Sequence, residues 1–247
     1  MRRASAAVFG VAVAACAAGC SATVAPADTL TVYAAASLTD VFATIESGFE
    51  AAHPGVDVTT VFGGSAELAA QIAQGAPADV FASAHLATMD AVESEWAHPP
   101  LVFATNTLTI AVPTGNPAGV TGLADLADPD VTSVTCAPQV PCGSAAVELA
   151  AVQGLTLAPS SHESSVTDVL GKVGSGQADA GVVYVTDIAR AAGIEQVPIP
   201  GAHAVANAYP ITALAHARNL GVAEAYVRYV VGVKGQAVLT TAGFGAP

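Results

Sequence analysis

The chain has 247 residues, 53% of them hydrophobic and 11% charged, enough to bury one large core or two small ones. Seven basic residues against 20 acidic ones give a formal net charge of −13, which argues against nucleic acid and anionic membrane surfaces as electrostatic partners. An anion bound by such a chain has to be held by local dipoles, not by the overall field.

Residues 1–19 read as an export signal. Arg2 and Arg3 form a basic start, residues 4–19 are uncharged and rich in Ala, Val and Gly, and the stretch ends Ala17-Ala18-Gly19-Cys20. It resembles a bacterial lipoprotein signal, which implies that Cys20 becomes the acylated first residue of the mature protein. That would hold the folded part at the outer face of the cytoplasmic membrane, or in a periplasm. Val13-Ala14-Ala15-Cys16 offers a rival cleavage site. An uncleaved membrane anchor is the remaining reading, weakened by the shortage of large apolar residues. Removing residues 1–19 takes away Arg2 and Arg3 and no acid, which leaves 5 basic and 20 acidic residues, net −15. Residues 20–28 read as a short tether.

A strand is expected at 30–35. The helix after it places Leu38, Val41, Phe42, Ile45 and Phe49 on one face, a 3.6-residue period. Ser37 and Asp40 have the spacing of a capping box. Residues 53–57 (HPGVD) form a turn, VDVTTVF a strand, and Leu68 and Ile72 mark a second helix. Residues 75–84 read as loop then buried strand, with another helix to about Trp96. This alternation predicts a parallel α/β sheet. The extended run 101–117 is read as crossing into a second lobe, with a strand at 131–136, helices at 143–153 and 165–174, and a strand at 180–186. A second extended run, 208–219, returns. The expected division is 29–110 with 207–247 as lobe I, and 111–206 as lobe II. Two α/β lobes joined by two crossings leave a cleft that closes by a hinge.

Ser37 and Ser65 each open a helix after a β-rich run, and each is preceded by small residues. A helix start offers unpaired backbone N–H groups and a partial positive charge. Small residues let a ligand approach that backbone, so two such starts clamp an anion without lysine or arginine. The plainer reading of each serine is an ordinary N-cap. The second lobe repeats the pattern at Pro141-Cys142-Gly143-Ser144 and at Ser164-Ser165-Val166, and Tyr184 ends a strand with a phenolic donor. Tyr184 and Val166 also read as core residues.

Cys136 and Cys142 stand six apart, and in an oxidising compartment a disulfide closing this loop is expected. No second Cys or His pair has zinc-ligand spacing. His53, His85, His98, His162, His203 and His216 form no ligand-spaced pair and are assigned to the surface. Asp79, in PADVF, is read as a structural brace. A secreted hydrolase with Ser65 as nucleophile is the rival class, but Gly63-Gly64-Ser65-Ala66-Glu67 is not a G-x-S-x-G elbow, and no His–acid pair stands out.

The runs VYAAASLTDVF, FGGSAELAAQIAQGAPADVFASA, VPCGSA and QADAGVVYVTD carry a resemblance that covers residues 30–247. The chain resembles the periplasmic molybdate-binding proteins of bacterial ABC uptake systems. The resemblance implies a two-lobed type II periplasmic-binding-protein fold and a monomer. It implies no enzymatic activity and no cofactor, with molybdate or tungstate as ligand and a permease with its ATPase as partner. Carried over by motif, the ligand donors are the hydroxyls of Ser37, Ser65 and Tyr184 and the backbone N–H groups of Cys142 and Val166. Alanine is commoner in the family where Cys142 stands; only its backbone is needed. Sulfate is the alternative oxyanion. Iron-binding relatives would want clustered Tyr, His or carboxylates, which are not evident.

Overall fold

A computed structural model describes residues 28–189 and 191–247. The expected signal, with Cys16 and Cys20, lies outside the described residues. Among the described residues, no helix is long and apolar enough to cross a membrane.

The chain begins with β1 (Asp28–Ala35), a 3-10 turn (Ala36–Leu38), α1 (Thr39–Ala52), β2 (Val56–Gly63), α2 (Ser65–Ala73), β3 (Val80–Ala82), α3 (Leu86–Asp90) and β4 (Leu101–Asn106). It continues through β5 (Leu108–Pro113), β6 (Ser133–Cys136), α4 (Pro141–Val152), β7 (Ser161–Glu163), α5 (Val166–Gly174), β8 (Ala180–Tyr184), α6 (Val185–Ile188) and β9 (Ile194–Val197). It ends with β10 (Asn207–Ala213), α7 (Leu220–Val231) and α8 (Val233–Thr241). One sheet has the order β2-β1-β3-β10-β4 and the other β7-β6-β8-β5-β9. Each sheet with its helices forms one lobe.

Neither sheet is purely parallel. β1 runs parallel to β2 and β3, but the returning β10 is antiparallel to β3 and β4. In the second sheet β5 is antiparallel to β8 and β9. The strand that enters from the opposite lobe is the reversed one, β10 in the first sheet and β5 in the second, because it does not arrive over a crossover helix. The first crossing consists of Thr107 alone, between β4 and β5. Leu108, Thr109 and Ile110 therefore stand in the second sheet, earlier than the expected boundary at 110. Neither Gly nor Pro marks this point in LVFATNTLTIAVP and Asn106 is the lone turn-type residue there, so the two strands read as one.

Two smaller expectations are also corrected. The helix expected up to Trp96 is broken into α3 and a 3-10 turn at Glu93–Glu95. α4 begins two residues before 143, at Pro141, whose ring suits the first helical position.

The core follows the periodicities. Phe42, Ile45 and Phe49 of α1 are fully buried against Phe103, Tyr209 and Tyr226. β2, at the sheet edge, alternates between partly buried and exposed. In the second lobe Ile110, Leu149, Val169 and Val183 pack together at 0% exposure. At the crossings, Asn106 and Asn207 lie opposite one another in the ladder. Asn106 Nδ2 donates to Thr186 Oγ1 at 2.8 Å, and Asn207 Nδ2 donates to the Ala84 carbonyl at 3.0 Å and the Pro141 carbonyl at 3.4 Å. Both amides thus bridge the lobes.

Asp79 is a brace. Its buried carboxylate accepts from the backbone N–H groups of Thr31 at 2.7 Å and Arg218 at 2.8 Å, and from the Arg218 guanidinium at 3.2 Å. It ties β1 to the segment that leads into α7. Asp79→Ala strands two backbone donors, and an unsatisfied donor costs roughly 1–3 kcal/mol. The expected loss of stability in urea unfolding is about 2–4 kcal/mol. A loss under about 0.5 kcal/mol, the range of an ordinary surface change, would contradict the brace.

Candidate functional site

Ser37 sits in the 3-10 turn after β1 and is buried. The capping-box expectation for it is corrected: neither this turn nor α1 begins with a side-chain cap. Its Oγ instead lies 3.0 Å from Tyr209 Oη. Ser65 is the first residue of α2, and the N-cap before it is Gly64. Ser65 Oγ accepts from the Ala84 backbone N–H at 3.1 Å. A hydroxyl holds one proton and two lone pairs, so this bond leaves the Ser65 proton free to donate elsewhere. Neither serine serves as a helix cap.

Cys142 lies in the first turn of α4, where backbone N–H groups have no partner within the helix. A disulfide joins it to Cys136 at the end of β6, with the Cα atoms 5.7 Å apart. Gly143 is required here, because a Cβ would overlap the Ala137 carbonyl. Val166 is the first residue of α5. Ser165 caps that helix: its Oγ accepts from the Asp168 N–H at 3.2 Å and donates to Asp168 Oδ2 at 2.8 Å. The cap bonds the Asp168 N–H and leaves the Val166 N–H at the open helix start.

Tyr184 ends β8, fully buried. Its backbone N–H donates to Asp187 Oδ2 at 3.0 Å. Its phenolic Oη makes no hydrogen bond of full geometry, although the Tyr209 hydroxyl faces it. Burial, with smaller contributions from Tyr209 and Asp187, pushes the phenol well above its ordinary range, so it stays a neutral donor.

These residues converge. One small cavity between the lobes is lined by Ser37, Ser65, Cys142, Val166 and Tyr184 together. Gly64 and Ser164 meet at its rim from opposite lobes, and a Cβ on Gly64 would overlap the Ser164 carbonyl oxygen. Only glycine lets the lobes approach this closely. Among the described residues, no Asp, Glu, His, Lys or Arg lines the cavity. Ser164 and Ser165 line it too, and sequence reasoning did not single them out as site residues. Their signal was present, in a small polar pair before an apolar helix, but it was absorbed into the reading of a helix start.

The histidines lie elsewhere. His98 pairs with Glu224 at 2.8 Å, His85 Nδ1 caps α3 by accepting from the Ala87 N–H at 3.1 Å, and His53 stacks on Phe49. Among the described residues, no group of three or more His, Cys, Asp or Glu is placed to hold a metal ion.

Among the described residues the cavity thus offers hydroxyl and backbone donors and no charged group. Residues 30–245 match the family described as bacterial extracellular solute-binding protein. The chain is 45% identical over 224 residues to a protein named molybdate-binding protein ModA from Mycobacterium tuberculosis (strain ATCC 25618 / H37Rv), covering 90% of this chain and 86% of that one. Its fold is similar to the Azotobacter vinelandii periplasmic molybdate-binding protein, with TM-score 0.74, 21% identity and coverage of 88% and 99% of the two chains. It is equally similar to the sulfate-binding protein SubI from Mycobacterium tuberculosis H37Rv, with TM-score 0.76, 20% identity and coverage of 88% and 86%. Those structural likenesses establish the two-lobed periplasmic-binding-protein architecture, and the match across nearly the whole described chain establishes more: this protein belongs to the bacterial extracellular solute-binding protein family.

Proposed function

We propose that this chain captures molybdate, and tungstate, outside the cytoplasm and presents it to an ABC permease and its ATPase. The observation that carries this reading is the buried Tyr184 hydroxyl, which makes no hydrogen bond of full geometry, in a cavity otherwise furnished with neutral donors. A buried donor without an acceptor costs roughly 1–3 kcal/mol, a cost that an incoming oxyanion removes. Ser37 and Ser65 from one lobe, and Cys142, Val166 and Tyr184 from the other, would enclose a tetrahedral anion. The name of the 45%-identical relative supports molybdate as that anion.

Magnitudes are adequate. Hydrogen bonds to a charged partner contribute about 1.5–3 kcal/mol each. Micromolar affinity needs about −8 kcal/mol, within reach of five donors after ordering costs. The absence of a carboxylate acceptor favours an oxyanion that carries no proton over hydrogen phosphate. We read the protein as a binder and not an enzyme. The Ser65 hydroxyl is engaged by a backbone N–H, and no histidine lines the cavity to activate it. The division into a lobe of 29–110 with 207–247 and one of 111–206 is kept in this reading, with the first crossing moved to Thr107.

In calorimetry, one molybdate or tungstate per protein is expected, with sulfate and phosphate far weaker. Ser37→Ala and Ser65→Ala should each weaken molybdate binding about 10–100-fold, the equivalent of one charge-assisted hydrogen bond. Equal affinity for sulfate and molybdate would refute the selectivity, and unchanged affinity in both variants would refute the site.

We also propose that the mature protein is a monomer tethered by lipid on Cys20, with Cys16 as the rival position. A single acyl chain holds a protein on a membrane only marginally, so the two chains of a diacylglyceryl cysteine suit a domain whose negative charge repels anionic lipid. Cys20→Ser is expected to release the protein or block its processing, as read by membrane fractionation and intact mass. Normal processing and retention of that variant would transfer the assignment to Cys16 or to an uncleaved anchor.

A further inference from the structure

Tyr209 lies in β10, on the return crossing, and is fully buried behind the cavity without lining it. It nevertheless touches a cavity side chain from each lobe. Its Oη is 3.0 Å from Ser37 Oγ, and its ring meets that of Tyr184 edge-on with centroids 6.0 Å apart. Phe103 and Phe244 close on its other sides at 6.2 Å and 5.5 Å between centroids. The ring therefore has little room to turn its hydroxyl away from Ser37.

The direction of the Ser37–Tyr209 hydrogen bond matters. Geometry alone lets either hydroxyl donate. If Ser37 donates to Tyr209, its proton is turned away from the cavity. If Tyr209 donates to Ser37, the Ser37 proton is free to point at a ligand. A ligand that carries no proton accepts hydrogen bonds only, so it selects the second arrangement. In a chain of hydroxyls, each bond polarises the next and strengthens it.

We propose that Tyr209 is a positioning residue for oxyanion binding: its buried hydroxyl donates to Ser37 Oγ and so commits the Ser37 proton to the anion. This rests on the reading of Ser37 as a ligand donor. Burial raises the Tyr209 phenol above its ordinary range, reinforced by Asp187 and opposed by hydrogen bonding with Ser37, Asn106 and Tyr184, so the donating proton is retained at neutral pH. The arrangement also bears on ligand choice. A protonated oxyanion offers a donor of its own, and Tyr209 already occupies one of the two lone pairs of Ser37 that could accept it.

A double-mutant cycle tests this, with molybdate as the titrant in calorimetry and thermal unfolding of the anion-free variants to verify folding. Ser37→Ala is expected to weaken binding about 10–100-fold and Tyr209→Phe about 5–20-fold. Because Tyr209 acts through Ser37, the double variant should bind within about twofold of Ser37→Ala alone. Additive losses, or an unchanged affinity in Tyr209→Phe, would overturn the positioning role while leaving the site intact. An unchanged affinity in Ser37→Ala would overturn the site reading and this proposal with it. If Tyr209→Phe does not fold, 3-fluorotyrosine at position 209 replaces it. That group keeps the ring and is the stronger donor, so binding should tighten when Ser37 is present and not change in Ser37→Ala. No tightening with Ser37 present, or equal tightening in both backgrounds, would count against the proposal.

Discussion

An anion taken out of water with no countercharge beside it has to be solvated again by dipoles already fixed in place. That constraint organises this molecule if its cavity holds an oxyanion as we propose. A flexible lysine would supply charge without geometry. Helix starts and buried hydroxyls supply geometry without net charge, at the expense of needing several of them to converge. Convergence from two sides requires two lobes, and two lobes require crossings that let the sides meet. The acidic surface then matters little, because the nearest dipoles dominate at contact distance and salt screens the rest.

The details around the cavity follow from the same constraint. Gly64 carries no side chain, so the rim of one lobe reaches the Ser164 carbonyl of the other. Gly143 lets the turn before α4 fold tightly over the Cys136–Cys142 bridge, which holds the open N–H groups of that helix in position. Ser65 accepts from the Ala84 N–H, which leaves its proton to the cavity, and Ser37 is fixed from behind by its contact with Tyr209. Preorganisation of this kind lowers the ordering cost of binding. The Asn106 and Asn207 amides, bonded across both crossings, give the closed arrangement its own interactions in addition to those of a ligand.

Much of this was legible in the sequence, for identifiable reasons. The 3.6-residue face from Leu38 to Phe49 and the buried run before Tyr184 are local patterns, and local patterns survive into the fold. Ser37 and Ser65 could be picked out because small residues before an amphipathic helix are a local signal too, whereas Cys142 lies in a visible helix start but was singled out by family resemblance. The same holds for Val166: as an apolar first residue of a helix it reads as core, and only family resemblance singled it out. The crossing at Thr107 was hidden because hydrophobic periodicity reports burial and not which sheet a strand joins. The capping-box reading of Ser37 failed for a related reason. Its hydroxyl is claimed by Tyr209, 172 positions away, a contact that no local spacing encodes. Long-range pairing of polar groups was the part that the sequence alone withheld.

The most direct measurement is a crystal structure of the protein grown with molybdate, with the ligand located by anomalous scattering from molybdenum. The account predicts one tetrahedral anion between the lobes, with its oxygens within hydrogen-bond distance, about 2.7–3.2 Å, of Ser37 Oγ, Ser65 Oγ, Tyr184 Oη and the N–H groups of Cys142 and Val166. Molybdenum located elsewhere, or held by lysine, arginine or histidine side chains, would contradict it.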